Sequence, residues 1–205
     1  MLSLLDRLSN PGNAEFMFGT QILARVPSAA IRPASVTDMD ALTVFFAGLS
    51  LESRYLRFFA PLTPGPALVR KMSGRDGCTE AVVAVQGGVI IGHGMTVDAV
   101  DQADPRGART AEIGVVVADA WQGMGVGSAL MSVLADGAQA RGVTSLIMDV
   151  LPGNHKMLAL IARNWPAACV EHAGDFATFR VRLPRRRPQL PQLPQGQPTV
   201  LASAG

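Results

Sequence analysis

Residues 115–131 read VVVADAWQGMGVGSALM, and this stretch decides the fold. It opens on a β-branched run of the kind found in buried strands, and a short polar link follows. Glycine then occupies positions 123, 125 and 127, directly before apolar residues that recur at helical spacing as far as Arg141. The stretch therefore predicts a strand, a glycine turn and a helix in immediate succession.

The glycine turn has the character of a phosphate site. A helix that begins directly after such a turn directs free N–H groups and the positive end of its dipole at one point, where anions bind. Neither common nucleotide loop fits, because no lysine lies between Gly123 and Arg141 and the glycine spacing differs from G-x-G-x-x-G. The pattern that fits is Q-x-x-G-x-G, formed by Gln122, Gly125 and Gly127.

Strand and helix patterns alternate on both sides of this stretch. They predict strands over 30–35, 108–118, 145–151 and 175–183, a hairpin over 80–100 that turns at Gly87 and Gly88, and helices over 37–50, 50–59, 66–72, 123–141 and 157–163. This order predicts an α/β (α+β) fold in which a mixed sheet carries helices on both faces.

Composition limits the classes of function. The 205 residues are 48% hydrophobic, which suits one domain with flanking tails. The net charge is +2, but residues 180–187 hold five arginines and no acid, so the rest of the chain is net negative. We therefore expect no nucleic-acid partner.

The sequence also argues against a membrane, a disulfide or a metal. No apolar run reaches the roughly 18 residues of a membrane span, and Asp6 and Arg7 interrupt the apolar start. Cys78 and Cys169 form no C-x-x-C pair and have no histidine at ligand spacing. We expect a cytoplasmic protein with no membrane partner.

With AEIGVVV before the Q-x-x-G-x-G motif and a strand plus VLPGNHKML after it, residues 30–183 resemble the GNAT superfamily of acetyl-CoA-dependent N-acetyltransferases. The resemblance implies the GNAT fold, with a mostly antiparallel central sheet, and acetyl-CoA as cofactor. We expect an N-terminal arm over 1–26, a GNAT domain over 27–183 and a disordered Pro- and Arg-rich tail over 184–205.

The resemblance implies that the glycine turn holds the coenzyme A pyrophosphate and that strand amides before it hold pantetheine and the thioester oxygen. The implied cofactor-binding residues are Val115, Val116, Val117, Gln122, Gly123, Met124, Gly125, Val126, Gly127, Ser128 and Asn154. Met124 stands where the family often has arginine, so one cation is missing. Asn154 has a second interpretation as a helix N-cap.

The two later glycines of the motif carry a further expectation. A β-branched residue at Gly125 or Gly127 is expected to crowd the phosphate and to resist a positive φ.

Acetyl transfer to an amine needs a base, because a free lysine has a pKa of about 10.4 and is protonated at neutral pH. The resemblance places a general base at Glu112, for which the alternative is an ordinary exposed strand carboxylate. His93 is a second candidate. The general acid is unassigned, since the only tyrosine, Tyr55, lies far in sequence from the last helix.

The stretch IRPASVTDMDALTVFFAGLSLESRYLRFF resembles the opening of the bacterial Pat-type protein lysine acetyltransferase domain. A helix with only a structural role would not require the polar and charged side chains that this stretch carries at Glu52, Ser53, Arg54 and Arg57. The preferred acceptor is therefore a protein lysine, with acetyl-CoA synthetase as one candidate substrate. The alternatives are a small-molecule amine N-acetyltransferase and a non-catalytic acyl-CoA-binding regulatory module.

Overall fold

The structure is a computed structural model that describes residues 29–74, 79–100 and 109–184. The predicted arm over 1–26, and the predicted tail except Pro184, lie outside the described residues. The helices are α1 (Met39–Ala47), α2 (Leu51–Phe58), α3 (Pro66–Ser73), α4 (Val126–Ala140) and α5 (His155–Asn164), with short 3₁₀ turns at Val36–Asp38 and Asp119–Trp121.

One seven-stranded sheet forms the centre of the described chain. Its strands are β1 (Ala30–Pro33), β2 (Thr79–Gln86), β3 (Val89–Val100), β4 (Arg109–Val117), β5 (Ser145–Val150), β6 (Cys169–Ala173) and β7 (Phe176–Arg182). They lie in the order β1-β2-β3-β4-β5-β7-β6. Only β4 and β5 pair in parallel, as the crossover through α4 requires. The predicted mixed, mostly antiparallel sheet is confirmed.

Helices cover both faces of the sheet, and each face has its own core. Helix α4 packs on one face through Val126, Leu130, Leu134 and Ala138, which recur every fourth residue and are all buried. Helix α5 adds Ile161 to the same core. The opposite core forms under α1, α2 and α3, and its largest helical members include Phe45, Phe46, Phe58, Leu42 and Met72.

The hairpin between β2 and β3 turns at Gly87 and Gly88, which have φ values of 56° and 81°, as the sequence predicts. Strand β3 then passes beneath α4 with Gly94 facing the helix. A Cβ at Gly94 would lie 2.7 Å from Leu134 Cδ1, so the helix approaches the sheet closely because glycine is there.

The sequence interpretation missed β6. This edge strand has five residues, includes Glu171 and His172, and pairs only with β7. Its pattern is too short and too polar to predict a strand, and β7 supplies the hydrogen bonds that hold it. The sequence indicated this hairpin only through the glycine at position 174, which forms the turn between β6 and β7 with a φ of 64°.

Within the described ranges, no helix has the length and apolar character needed to cross a membrane.

Candidate active site

The central feature of the sheet is a fork between β4 and β5. The two strands pair only at Thr110–Ser145, Ala111–Leu146 and Glu112–Ile147, although β4 continues to Val117 and β5 to Val150. A cleft opens beyond Glu112, lined by residues 113–115 of β4 and 148–150 of β5. Its lining includes Met131 of α4 and Arg57 of α2, so residues from both faces of the sheet border the cleft.

The fork leaves strand amides without a partner strand. Ala118 N–H donates to Ile91 O of β3, and amides of successive strand residues point to alternate sides. Val116 therefore directs its amide to β3, while Val115 and Val117 direct theirs into the fork. The side chain of Val115 lines the cleft, and those of Val116 and Val117 are buried in opposite cores.

The predicted glycine turn ends directly at α4. Gly123 and Gly125 have φ values of 77° and 91°, which favour glycine, and Gly125 is the N-cap residue. No side chain caps the helix, so the first N–H groups of Val126, Gly127 and Ser128 point outward unpaired. Gly127 lies within α4 without a positive φ, so the expected backbone strain applies to Gly125 and not to Gly127.

Gln122 is fixed by other protein groups. Its Nε2 donates to Ser53 Oγ and to Val117 O, each at 3.0 Å, and its Oε1 accepts from Lys156 Nζ at 2.7 Å. One side chain thus connects α2, the end of β4 and α5. We assign Gln122 the role of fixing the turn, because both ends of its amide are already occupied.

Asp119 anchors the same loop to the start of α2. It accepts hydrogen bonds from Ser50 N–H at 3.0 Å and from the hydroxyls of Ser50 and Ser53, each at 2.7 Å. Partial burial would raise the pKa of Asp119, but these hydrogen bonds outweigh it and lower the pKa below its ordinary value. The carboxylate therefore holds α2 against the loop that leads to the glycine turn.

Helix α5 brings two cations to the turn. Lys156 reaches Gln122 as described, and Arg163 Nη2 donates to Ser128 Oγ at 2.8 Å. The two residues are seven apart, so they share one face of the helix. The exposed Met124 contributes no charge, and α5 supplies positive charge at the turn instead.

Glu112 is the last β4 residue paired with β5, and it stands where the fork opens. It does not line the cleft itself, but by strand alternation its side chain shares a sheet face with Gly114 and Asp149, which do. Burial raises the pKa of Glu112 to about 8, Asp149 adds to the rise, and Arg57 opposes it. Asp149 accepts from Thr178 Oγ1 at 2.6 Å, so its carboxylate is held in place.

His93 does not reach the cleft. It is fully buried beside the Phe46 ring, and its Nε2 donates to Met72 O at 2.8 Å. Burial lowers the pKa of His93 to about 3, with a contribution from the charge on Arg57. A neutral imidazole in the core does not act as a base on a substrate, so His93 is a structural residue.

Arg57 stood out in the sequence only as part of the stretch that resembles the Pat-type domain, and sequence reasoning assigned it no role in the site. It lies on α2, is 6% exposed and lines the cleft beside Gly114. A Cβ at Gly114 would lie 2.6 Å from Arg57 Nη2, so only glycine leaves room for the guanidinium. The sequence carried no signal for this placement, because only the folded structure shows that Arg57 is buried on α2 with Ser53 and Phe58.

Asn154 caps a helix, as the second interpretation of this residue predicted, and it also lines the cleft. Its Oδ1 accepts from Met157 N–H at 3.1 Å and caps α5. Both residues border the fork. The described residues contain no cluster of three or more potential metal ligands.

These features define a class of protein: an α/β fold in which parted strands and an adjoining helix N-terminus offer unpaired backbone N–H groups, an arrangement suited to an extended ligand with phosphate at one end. The family model for the Acetyltransferase (GNAT) family matches residues 49–164. A search of curated proteins gives no match.

Solved structures share this architecture. The GNAT domain of S. lividans PAT is 28% identical over 76% of this chain and 90% of that chain, with a TM-score of 0.68. The putative acetyltransferase yncA from Salmonella typhimurium, solved with its cofactor acetyl-CoA, is 18% identical over 77% and 95%, with a TM-score of 0.60. Ribosomal-protein-alanine N-acetyltransferase from Brucella melitensis is 19% identical over 75% and 98%, with a TM-score of 0.57.

The chain belongs to the GNAT family of acetyltransferases. It is therefore an acetyltransferase, and acetyl-CoA is its acetyl donor. The residues present fit this donor: the left-handed Gly125, the unpaired N–H groups of α4 and the amides in the fork offer donors to phosphate and to an extended polar chain.

Proposed function

We propose that this protein transfers acetyl from acetyl-CoA to the side-chain amine of a protein lysine by direct, general-base-assisted attack. The observation that carries the proposal is Glu112 at the opening of the fork, with its pKa raised to about 8 by burial and by Asp149. A carboxylate of this basicity accepts a proton from an amine far better than an ordinary one.

Acetyl-CoA supplies an activated thioester, and the chain supplies the groups that hold it. The amides of Val126, Gly127 and Ser128, with Lys156 and Arg163, are the proposed pyrophosphate ligands. Gly123 and Gly125 keep the turn open, and Val115 and Val117 offer amides along the fork. The remaining residues of the predicted set lie beside these groups, and they are Val116, Gln122, Met124 and Asn154.

Two carboxylates support a cationic acceptor. Asp149 lies on the same face of the fork as Glu112, and its negative charge attracts the ammonium form of an amine, joined by that of Glu112 once this carboxyl is ionised. Glu112 then removes the proton that blocks attack. A lysine side chain and a small polyamine both satisfy this chemistry.

The choice of a protein lysine rests on relatives. The 28% identity to the GNAT domain of S. lividans PAT agrees with the resemblance of residues 31–59 to Pat-type lysine acetyltransferases. Acetyl-CoA synthetase is one candidate substrate. A cytoplasmic location for the protein stays a prediction.

The test is an acetyl-CoA assay against purified proteins, including acetyl-CoA synthetase, and against polyamines, amino acids and amine antibiotics. We expect mass spectrometry to find acetylated lysines on a protein, and above the Glu112 pKa of about 8 we expect Glu112→Gln to reduce them strongly while the matched exposed-strand variant Glu171→Gln does not. Turnover with small amines alone would replace the lysine proposal with the small-molecule alternative.

A further inference from the structure

Arg57 carries a positive charge that no described carboxylate neutralises by a direct ion pair, although Glu112 attracts it electrostatically and opposes the lowering of its pKa. It is 6% exposed, its Nε is buried without a hydrogen-bond partner, and no described carboxylate forms an ion pair with it. Burial lowers the pKa of Arg57 to about 10, so the guanidinium still keeps its proton at neutral pH. A buried charge without a partner is strongly unfavourable, and such a group is retained where a function needs it.

The surroundings hold this guanidinium at the fork. It lies over the Phe58 ring, 5.1 Å from the ring centroid, and against the backbone of Gly114. Gly114 follows Glu112 by two residues, at the first part of β4 that has left β5. The donors of Arg57 therefore face the cleft at the point where β4 offers unpaired amides.

We propose that Arg57 is a catalytic residue that stabilises the negative oxygen formed on the thioester carbonyl during acetyl transfer. This inference rests on the proposed direct attack. Glu112 first takes one proton from the ammonium group, and the neutral amine nitrogen then bonds to the carbonyl carbon while the carbonyl electron pair moves to oxygen. When the pair returns, the carbon–sulfur bond breaks and the departing thiolate takes up the second proton, which the nitrogen loses on becoming an amide.

A transient oxyanion fits the site better than a permanent anion does. A carboxylate on the acceptor or on the acyl group would have to enter beside Asp149, which repels it. The oxyanion instead appears only after Glu112 has received a proton and lost its negative charge. The guanidinium then gains its partner at the step that limits the reaction, which is the requirement for lowering a barrier.

The test compares Arg57→Met, Arg57→Lys and the exposed control Arg70→Met. We expect Arg57→Met to lower kcat by about 10²-fold, the usual loss for one oxyanion donor. KM for the acceptor and the calorimetric Kd for acetyl-CoA should each stay within about threefold, because the charge acts after binding. Arg57→Lys should recover part of kcat.

Thermal unfolding separates catalysis from folding. Removing an unpaired buried charge should leave the Tm of Arg57→Met equal to or above that of the wild type. A fall in Tm that accompanies the loss of activity would instead make Arg57 a structural residue and overturn the proposal. A selective rise in KM for a carboxylate-bearing substrate, with kcat retained, would overturn it as well.

Slow hydrolysis of acetyl-CoA distinguishes this proposal from that of the lysine acceptor. Water attack forms the same oxyanion without any amine, so Arg57→Met should lower hydrolysis by a similar factor. Failure to acetylate any protein would remove the lysine proposal and leave this readout intact. Unchanged hydrolysis and unchanged transfer would remove the role of Arg57.

Discussion

Glu112 has an electrostatic setting that makes its proton affinity measurable. Its pKa is raised to about 8 because the carboxyl is partly buried and Asp149 stands near it. The carboxyl is therefore protonated in the free enzyme at neutral pH and becomes a base as pH rises. We expect the wild type to outperform Glu112→Gln by about 10² to 10⁴ in kcat/KM, but only above the pKa of Glu112.

The measurement is the ratio of wild-type to Glu112→Gln kcat/KM across pH, since the ionisation of the amine cancels in the ratio. This ratio should rise to a plateau with a midpoint near the Glu112 pKa of about 8. Asp149→Asn, measured in the same way, should move the midpoint to lower pH because a negative neighbour is removed. A ratio that does not change with pH would contradict the role of Glu112 as base.

The same raised pKa means that Glu112 lowers the free energy of unfolding at alkaline pH. Between its ordinary value of 4.5 and about 8, the carboxyl is protonated in the folded state and ionised in the unfolded state. Unfolding then releases a proton, so the free energy of unfolding falls as pH rises through this window. Glu112→Gln removes the effect, and its Tm should exceed that of the wild type increasingly from about pH 5 to about pH 9. Equal Tm differences at both ends would contradict the raised pKa.

Individual residues also show where sequence reasoning stops. Glu112 could be predicted because it follows from the family pattern. Its partners Asp149 and Arg57 come from other elements, and only the folded sheet brings them together. His93 was a candidate base because histidine is the usual one, but α1 and α3 bury it completely, and a sequence does not display that burial.

Among the elements, the glycine turn offers a matched pair of substitutions. Gly125 has φ of 91°, whereas a Cβ at Gly127 meets only Val117 Cγ2 at 3.8 Å. We expect Gly125→Ala to weaken acetyl-CoA binding by tenfold or more, because a left-handed φ costs an L residue about 1–2 kcal/mol. Gly127→Ala should bind within about threefold of the wild type and should raise Tm slightly. Equal losses in calorimetric titrations of the two variants would contradict this assignment.

Helix α5 gives the phosphate turn its cations. Lys156→Met and Arg163→Met should each weaken acetyl-CoA binding by about tenfold, since a charge-assisted hydrogen bond contributes about 1.5 kcal/mol. Both variants should also make the affinity less sensitive to salt. The control is Lys71→Met on α3, across the sheet, which should leave affinity and salt dependence unchanged. Calorimetric titrations at two salt concentrations measure both effects.

The elements that could be predicted from the sequence are those whose structure is determined by residues nearby in the chain. The hairpin at Gly87 and Gly88 and the turn before α4 were predictable, because glycines placed between periodic segments encode them locally. Strand β6 was not predicted, since β7 and not its own sequence makes it a strand. The cations of α5 were missed because nothing in residues 155–164 alone shows that the helix crosses the glycine turn.

At the scale of the whole molecule, the fork divides the sheet into β1–β4 and β5–β7–β6, joined by only three residue pairs. The motif and its resemblance implied the parted strands, but their extent depends on the register of two strands that a crossover separates in sequence. A ligand seated in the fork would contact both halves. Binding should therefore be coupled to the stability of the entire fold.

We expect acetyl-CoA at about 100 times its Kd to stabilise the fold by about 2.7 kcal/mol, equivalent to a Tm increase of about 5–11 °C for a chain of this size. Acetyl-pantetheine, which lacks the pyrophosphate, should give a much smaller shift at the same concentration, and Gly125→Val should respond little to either compound.

Hydrogen exchange locates the source of that stabilisation. The amides of Val115 and Val117 should exchange more slowly when acetyl-CoA binds, whereas that of Val116 is already protected by β3. Protection of all three amides to the same degree, or of none, would show that the ligand does not occupy the fork.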